Sequence, residues 1–197
     1  MVRLLSLYAP REIRAVSADA RLVEAACRGD QTAFGQLYEQ YAAVVHGLLL
    51  TKVPREEADD LVQEVFLIAM RRIMALRDPN RFGAWLSAIA RNLANDHYRR
   101  LRPTDSLTED PPETAGQTAA TRHSDTGAAI LDVIRSLPDA YSETLILRLV
   151  EGMTGPEIAV RTGLTHGSVR VNLCRGMRML RERLEAASAN RSERESH

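Results

Sequence analysis

The sequence predicts an all-α fold made of two small helical domains, and three observations lead to this prediction. Apolar residues recur at the spacing of amphipathic helices, and no segment alternates as a half-buried strand does. Helix start and stop signals, such as Asp30, Pro54 and Gly163, bound these apolar patterns. Residues 103–129 are rich in proline, glycine and acidic residues and nearly lack large apolar ones, so they predict a flexible linker.

The composition excludes several classes of protein. The 197 residues include 26 basic and 26 acidic ones, so basic residues matter only where they cluster. Cys27 and Cys174 lie in separate helical patterns without a CxxC partner, which argues against a disulfide framework or a zinc site. No apolar run is long enough to span a bilayer or to form the core of a signal peptide. We expect a cytoplasmic protein with no metal, no cofactor and no membrane insertion of its own.

The first domain is predicted over residues 19–102, after an N-terminal extension of residues 1–18 whose role stays open. It should contain four helices, because four apolar patterns of helical period follow one another. The first three patterns have local start signals, in chain order Asp19 or Ser17, then Asp30, then Pro54 with Glu56 and Glu57. Asp78-Pro79-Asn80 breaks the chain before the fourth.

The second domain is predicted over residues 130–187, with residues 188–197 as a disordered tail. A helix over Ile130–Glu151 should precede a helix-turn-helix at Thr154–Leu173. Gly163 suits the left-handed end of the first short helix, and Thr165 can cap the second one. The second helix has an apolar face opposite an arginine face, the latter formed by Arg170, Arg175, Arg178, Arg181 and Arg183. Such a helix fits the DNA major groove, and its arginines can hold phosphates.

Two surfaces of the first domain are strongly charged. Acidic residues begin the third helix, namely Glu56, Glu57, Asp59, Asp60 and Glu64, and basic residues end the fourth, namely Arg91, Arg99, Arg100 and Arg102. The acidic group could simply complement the helix dipole, and the basic group could be a solvated helix end. Beside a DNA-binding hairpin, they also suggest a protein-docking face and a nucleic-acid face.

Three blocks of sequence carry a resemblance to a known family. They are Asp60-Leu-Val-Gln-Glu-Val-Phe66, the helix from Phe82 to Arg100 with its Trp-Leu-Ser-Ala-Ile-Ala-Arg-Asn run, and Leu137–Leu147 leading into the helix-turn-helix. With these three blocks in this order, the chain from Asp19 to Leu184 resembles bacterial sigma factors of the extracytoplasmic-function (ECF) group of the sigma-70 family. The resemblance implies sigma region 2 over residues 19–102 and sigma region 4 over residues 130–187.

The resemblance also implies where core RNA polymerase would bind. In this family the block like Asp60–Phe66 docks on a coiled coil of the polymerase β′ subunit. The matching residues here are Asp60, Leu61, Gln63, Glu64 and Phe66. The segment Ile130–Glu151 would touch the β flap, and an anti-sigma factor is an expected further partner.

The promoter contacts implied by the resemblance fall on two helices. The melted minus-10 strand would be contacted by Asn80, Arg81, Arg91, Asn92, Asp96, Arg99 and Arg100, with amides for base edges and arginines for phosphates. The duplex minus-35 element would be contacted by Thr165, His166, Gly167, Ser168, Arg170, Asn172 and Arg175. Trp85 could stack on a base, but its helical spacing with Ile89 and Leu93 favours a core position.

Asn172 departs from the family pattern, which very often has arginine at this position. Asparagine favours bidentate contact with adenine, whereas arginine favours guanine. We therefore predict, as a hypothesis, an altered minus-35 preference at the base that Asn172 contacts.

Two other functional classes compete with the sigma-factor interpretation. A two-domain regulator could bind duplex DNA alone, but it would not need the Asp60–Phe66 and Trp85–Arg100 blocks. An enzyme could use His46 or the Asp96-His97 pair. The sequence, however, lacks an HExxH motif, a glycine-rich phosphate loop and a nucleophile elbow, so we expect no catalytic residues.

Overall fold

The structure, a computed structural model, describes the backbone of residues 11–101 and 126–195 and the side chains of residues 19–100 and 127–187. These residues form helices and no strand, which confirms the all-α prediction. The α-helices are α1 (Arg11–Cys27), α2 (Gln31–Leu50), α3 (Arg55–Arg72), α4 (Phe82–Leu101), α5 (Thr126–Arg135), α6 (Asp139–Leu149), α7 (Gly155–Thr162) and α8 (His166–Glu195). Short 3-10 helices cover Ile73–Ala75 and Pro79–Arg81.

Local capping chemistry sets most helix boundaries where the sequence predicts them. The Asp30 carboxylate accepts a hydrogen bond from the Ala33 amide at 3.0 Å, at the start of α2. Pro54 precedes α3, whose first turn carries Glu56 and Glu57. Asp78 caps the 3-10 helix that leads into α4.

Three boundaries differ from the sequence prediction. Helix α1 begins at Arg11, inside the predicted N-terminal extension, so neither Ser17 nor Asp19 caps it. The predicted helix over Ile130–Glu151 is split into α5 and α6 at Leu137-Pro138, because proline disfavours a helical conformation in the residue before it. Helix α8 continues to Glu195 through most of the predicted disordered tail, since no proline or glycine interrupts its alanine, glutamate and arginine residues.

The first helical group is arranged around α2. This helix packs against α1, α3 and α4, and its residues Leu37, Val45 and Leu49 are fully buried. In the second group, α8 packs across α6, with α5 and α7 beside them, over a core that contains Leu145 and Ile158.

The two groups also pack against each other. Helices α2 and α4 of the first group contact α6 and α7 of the second, and the buried residues of both form one continuous apolar core. The predicted linker lies mostly outside the described residues, although its last four positions, residues 126–129, belong to α5. Within the described residues, none of the helices has the length and apolar character needed to cross a membrane.

Candidate nucleic-acid and polymerase interfaces

The helix-turn-helix is held together by reciprocal caps. Thr154 and Glu157 form a capping box at the start of α7, and the hydrogen bond from Thr154 lowers the pKa of the Glu157 carboxyl. Gly163 ends α7 with φ 75°, a conformation that residues with a Cβ rarely adopt. Thr165 then accepts a hydrogen bond from the Ser168 amide at 3.1 Å at the start of α8. Together the caps fix the direction in which α8 leaves the turn.

The structure brings the predicted minus-35 residues together on the first turns of α8. Most of them are exposed, namely Thr165, His166, Gly167, Ser168, Arg170 and Arg175, whereas Asn172 is half-buried. Thr165 and Ser168 also bond to each other through their hydroxyls at 2.8 Å, so their first role is to order the helix start. The opposite, apolar face is held by Val169 and Leu180, which are buried.

The arginine face of α8 is open to solvent. Arg170, Arg175, Arg178 and Arg181 are exposed, and the Arg178–Glu182 ion pair is long at 3.9 Å. Arg183 instead donates to the carbonyl of Ser136 at 3.0 Å, which ties α8 to the end of α5. An exposed row of guanidinium groups at this spacing can contact phosphates along one groove.

The predicted polymerase-docking residues on α3 divide between surface and core. Asp60, Gln63 and Glu64 are exposed, so they can contact a partner. Leu61 and Phe66 are 8% and 4% exposed. Their direct contact with polymerase stays a prediction, and in this conformation both side chains hold α3 against the core.

Sequence reasoning missed an apolar row beside these polar residues. Leu67, Met70 and Met74 are 53%, 50% and 81% exposed, and they follow Gln63 at helical spacing along α3 and the 3-10 helix after it. Tyr38 of α2 is 39% exposed and lies 4.6 Å from the Phe66 ring, measured between ring centroids. The spacing of Leu67, Met70 and Met74 could have revealed the row, but apolar residues on a helix predict a core position first. Such an exposed row is typical of a protein-binding surface.

The predicted minus-10 residues lie along α4 and the 3-10 helix before it. Six of them are exposed, namely Asn80, Arg81, Asn92, Asp96, Arg99 and Arg100. The Asn80 side-chain amide donates to the Asp78 carboxylate at 3.1 Å, which orients it at the start of α4. Trp85 is half-buried and packs against Phe82 at 5.8 Å between ring centroids, in agreement with its predicted core position.

Arg91 is the exception among these residues, because its guanidinium is already paired. It donates two hydrogen bonds to the Glu143 carboxylate of α6, at 2.7 and 2.9 Å. The side chain of Glu143 is only 14% exposed. The Arg91 guanidinium is therefore paired within the molecule in this conformation, and its contact with DNA stays a prediction.

The histidines considered as catalytic or metal-binding groups pair with carboxylates instead. His97 pairs with Glu57 of α3, and His46 Nδ1 lies 2.7 Å from the Glu151 carboxylate. The hydrogen bond to Glu151 raises the pKa of His46 above its ordinary value. Among the described side chains, no group of histidine, cysteine and acidic residues could hold a metal ion.

Comparison with known proteins divides the chain into two matched regions. Residues 37–104 match the family model "Sigma-70 region 2", and residues 127–180 match "Sigma-70, region 4". The chain is 36% identical over 166 residues to the ECF RNA polymerase sigma factor BldN of Streptomyces coelicolor, covering 81% of this chain and 63% of BldN.

This chain covers almost the full length of two further relatives. RNA polymerase sigma factor CarQ of Myxococcus xanthus is 33% identical over 159 residues, covering 79% of this chain and 91% of CarQ. The solved structure of CnrH in complex with the cytosolic domain of CnrY is similar with a TM-score of 0.58 at 28% identity, covering 86% of this chain and 98% of CnrH. Members of this family bind core RNA polymerase and direct it to promoters. The matched regions and relatives place this chain in the ECF group of the sigma-70 family.

Proposed function

We propose that this chain binds core polymerase through α3 and contacts the promoter through α4 and α8. The polymerase contact would combine the exposed acidic and amide groups Asp60, Gln63 and Glu64 with the apolar row Leu67, Met70 and Met74. A partly apolar surface with a charged rim is typical of a protein–protein contact. The β-flap contact of α5 and α6 stays a prediction from the family.

The DNA contacts would be divided between two kinds of nucleic acid. Helix α8 presents its first turns and its arginine face to duplex minus-35 DNA. Helix α4 presents Asn80, Asn92, Arg99 and Arg100 to the melted minus-10 strand, where amides recognise a base edge and guanidinium groups hold phosphates. RNA synthesis would belong to the polymerase, so this chain needs no catalytic residue, and it would act where the polymerase acts, in the cytoplasm.

The observation that carries the proposal is the exposure of the α3 face within the matched region 2. It is tested by promoter-dependent transcription with purified core polymerase. We expect Gln63→Ala with Glu64→Ala to weaken assembly with the core enzyme and transcription together. The control, Glu24→Ala with Gln36→Ala, changes exposed residues of the same two types on α1 and α2. Equal activity of the two double variants would contradict the proposed docking face.

We also propose that a protein regulator, an anti-sigma factor, binds this chain. The support is the similarity to CnrH, which was solved bound to the cytosolic domain of another protein, CnrY. Native purification of the tagged chain should recover one stoichiometric partner that inhibits transcription when it is added back. Recovery of core polymerase subunits alone would argue against such a regulator.

A further inference from the structure

One apolar side chain interrupts the arginine face of α8. Val171 is 42% exposed, although the residues that hold this helix against the core, Val169 and Leu180, are 1% and 5% exposed. At 3.6 residues per turn, Val171 lies roughly 160° from Val169 and roughly 180° from Leu180 around the helix axis. Its methyl groups therefore point directly away from the core, towards the duplex in the proposed minus-35 contact.

The neighbouring Asn172 points less directly away from the core. It lies roughly 60° from Val169 around the helix axis, and it is half-buried. Arg175 and Arg178 lie within roughly 40° of Val171 around the same axis, and both are exposed. Val171 is therefore nearer than Asn172 to the centre of the exposed face, and guanidinium groups that can hold phosphates follow it on the next two turns.

The turn before Val171 leaves room for a close approach to DNA. A helical side chain leans towards the helix N-terminus, so the side chain of Val171 covers the turn that contains Gly167 and Ser168. A Cβ on Gly167 would lie 3.9 Å from Thr165 Oγ1, in ordinary van der Waals contact, and the Ser168 hydroxyl bonds to the same oxygen at 2.8 Å. Neither Gly167 nor Ser168 has a long side chain that would keep Val171 from a base edge.

A valine side chain selects a base by apolar contact, because it can neither donate nor accept a hydrogen bond. In the major groove, the C5 methyl group of thymine is the apolar group that distinguishes one base from the others. A donor or acceptor placed against valine would lose its water without gaining a new partner. A β-branched side chain also has one strongly preferred rotamer in a helix, so the methyl groups of Val171 hold a fixed position.

We infer that Val171 is a specificity-determining residue of the minus-35 contact, which packs against the C5 methyl group of one thymine. The inference deepens the proposed duplex contact of α8 and rests on it. Its test depends on a single methyl group of the DNA, which the phosphate contacts of the arginines do not sense.

The test measures binding of the holoenzyme, reconstituted from core polymerase and the full chain, to modified duplex DNA. The duplex carries the minus-35 sequence that this holoenzyme selects from a randomised element. Each thymine of that sequence is replaced in turn by deoxyuridine, which removes the C5 methyl group and keeps the hydrogen-bonding groups of the base. One of these replacements should weaken binding about fourfold, the loss expected for one buried methyl group.

Val171→Ala should bind the thymine duplex and this deoxyuridine duplex equally, because alanine is too short to reach the methyl group. The variant should fold, since Val171 is exposed and alanine is the better helix former. The matched control is Met177→Ala, which shortens another apolar side chain of α8, 40% exposed and roughly 120° from Val171 around the helix axis. The control should keep the fourfold preference for thymine.

The outcomes separate failure of the inference from failure of the proposed function. If none of the deoxyuridine replacements weakens binding to the selected duplex, Val171 does not contact a thymine methyl group. Equal thymine preference of Val171→Ala and the wild type would also overturn the inference, because another residue would then contact the methyl group. If the holoenzyme selects no sequence from the randomised element, the proposed duplex contact of α8 fails instead.

Discussion

The two helices that we propose to contact promoter DNA, α4 and α8, are held in opposite ways. Helix α4 is packed on several sides, by α2 and α3 of its own group and by α7 of the other, and its Arg91 is bound to Glu143. Helix α8 is held along one face only and leaves its arginines in solvent. A helix that captures a melted strand needs a rigid base, whereas a helix that enters a major groove needs a free face. The comparison shows that packing, and not charge alone, decides which arginines are available to contact DNA.

The largest expected difference between the two helices is in their contribution to stability. Leu86→Ala removes a side chain of α4 that is 1% exposed, so it should lower the free energy of unfolding by about 2–5 kcal/mol. Met177→Ala on α8, where the side chain is 40% exposed, should change it by about 0.5 kcal/mol or less. Urea unfolding followed by circular dichroism measures both. Similar losses would show that α8 is packed as tightly as α4.

The next largest effect concerns the free arginines of α8. Arg170→Ala with Arg175→Ala should weaken holoenzyme binding to promoter DNA about 20-fold near 0.2 M salt, because about two phosphate contacts are lost. The slope of log affinity against log salt should fall by roughly two units. The control for net charge is Arg21→Ala with Arg28→Ala, which changes one exposed arginine on α1 and one directly after it. An unchanged salt slope would exclude this face from the DNA.

A smaller effect is expected at Asn172, where α8 differs from the common family pattern. Asn172→Ala should reduce discrimination at one minus-35 base by about tenfold, since a bidentate amide contact with adenine contributes about 1–3 kcal/mol. Selection of bound sequences from a randomised minus-35 element measures the preference. The hypothesis fails if the variant selects the same base as the wild type at every position.

The smallest expected effect is the pH dependence that His46 gives to the contact between the two halves. The hydrogen bond to Glu151 raises the pKa of His46. The charge of Asp59 also raises this pKa, whereas the charge of Arg55 lowers it. The protonated imidazole therefore stabilises the folded chain fully below pH 6.5, its ordinary pKa, and this contribution is lost as pH rises through the raised value.

The His46 contribution is measured as the difference in unfolding free energy between the wild type and His46→Gln. This difference should shrink steadily as pH rises from 6 towards 9, because glutamine does not titrate over this range. A difference that is constant with pH, or that grows, would show that His46 is not charged in the folded chain.

Local chemistry made much of this fold predictable. Asp30, Gly163 and Thr165 act through groups within four residues along the chain, so their capping roles follow from sequence alone. The exposure of the residues at the start of α8 could be predicted in the same way, from the helical period of the apolar residues. Only the resemblance to the family predicted which surfaces bind polymerase and which bind promoter DNA, because periodicity cannot identify a partner.

Contacts between distant segments were not predictable in this way. Asp19 looks like a helix cap, but its partner Arg161 lies 142 positions later in the chain. Arg91 looks like a free phosphate ligand, but Glu143 lies 52 positions away. Leu61 and Phe66 share the pattern of a docking helix with their exposed neighbours, and only the packing of α2 against α3 decides that they are buried.

The close approach of α4 and α7 at Gly83 and Gly163 has a consequence for genetic variation. A Cβ on Gly83 would lie 2.3 Å from the Arg161 carbonyl oxygen, and a Cβ on Gly163 would lie 2.7 Å from the Cβ of Ala84. Every other amino acid carries a Cβ, so no replacement at these two codons preserves the distance between α4 and α7. At Gly163 the positive φ adds a second penalty. A single nucleotide change that replaces either glycine is therefore enough to force a shift between α4 and α7 at this contact.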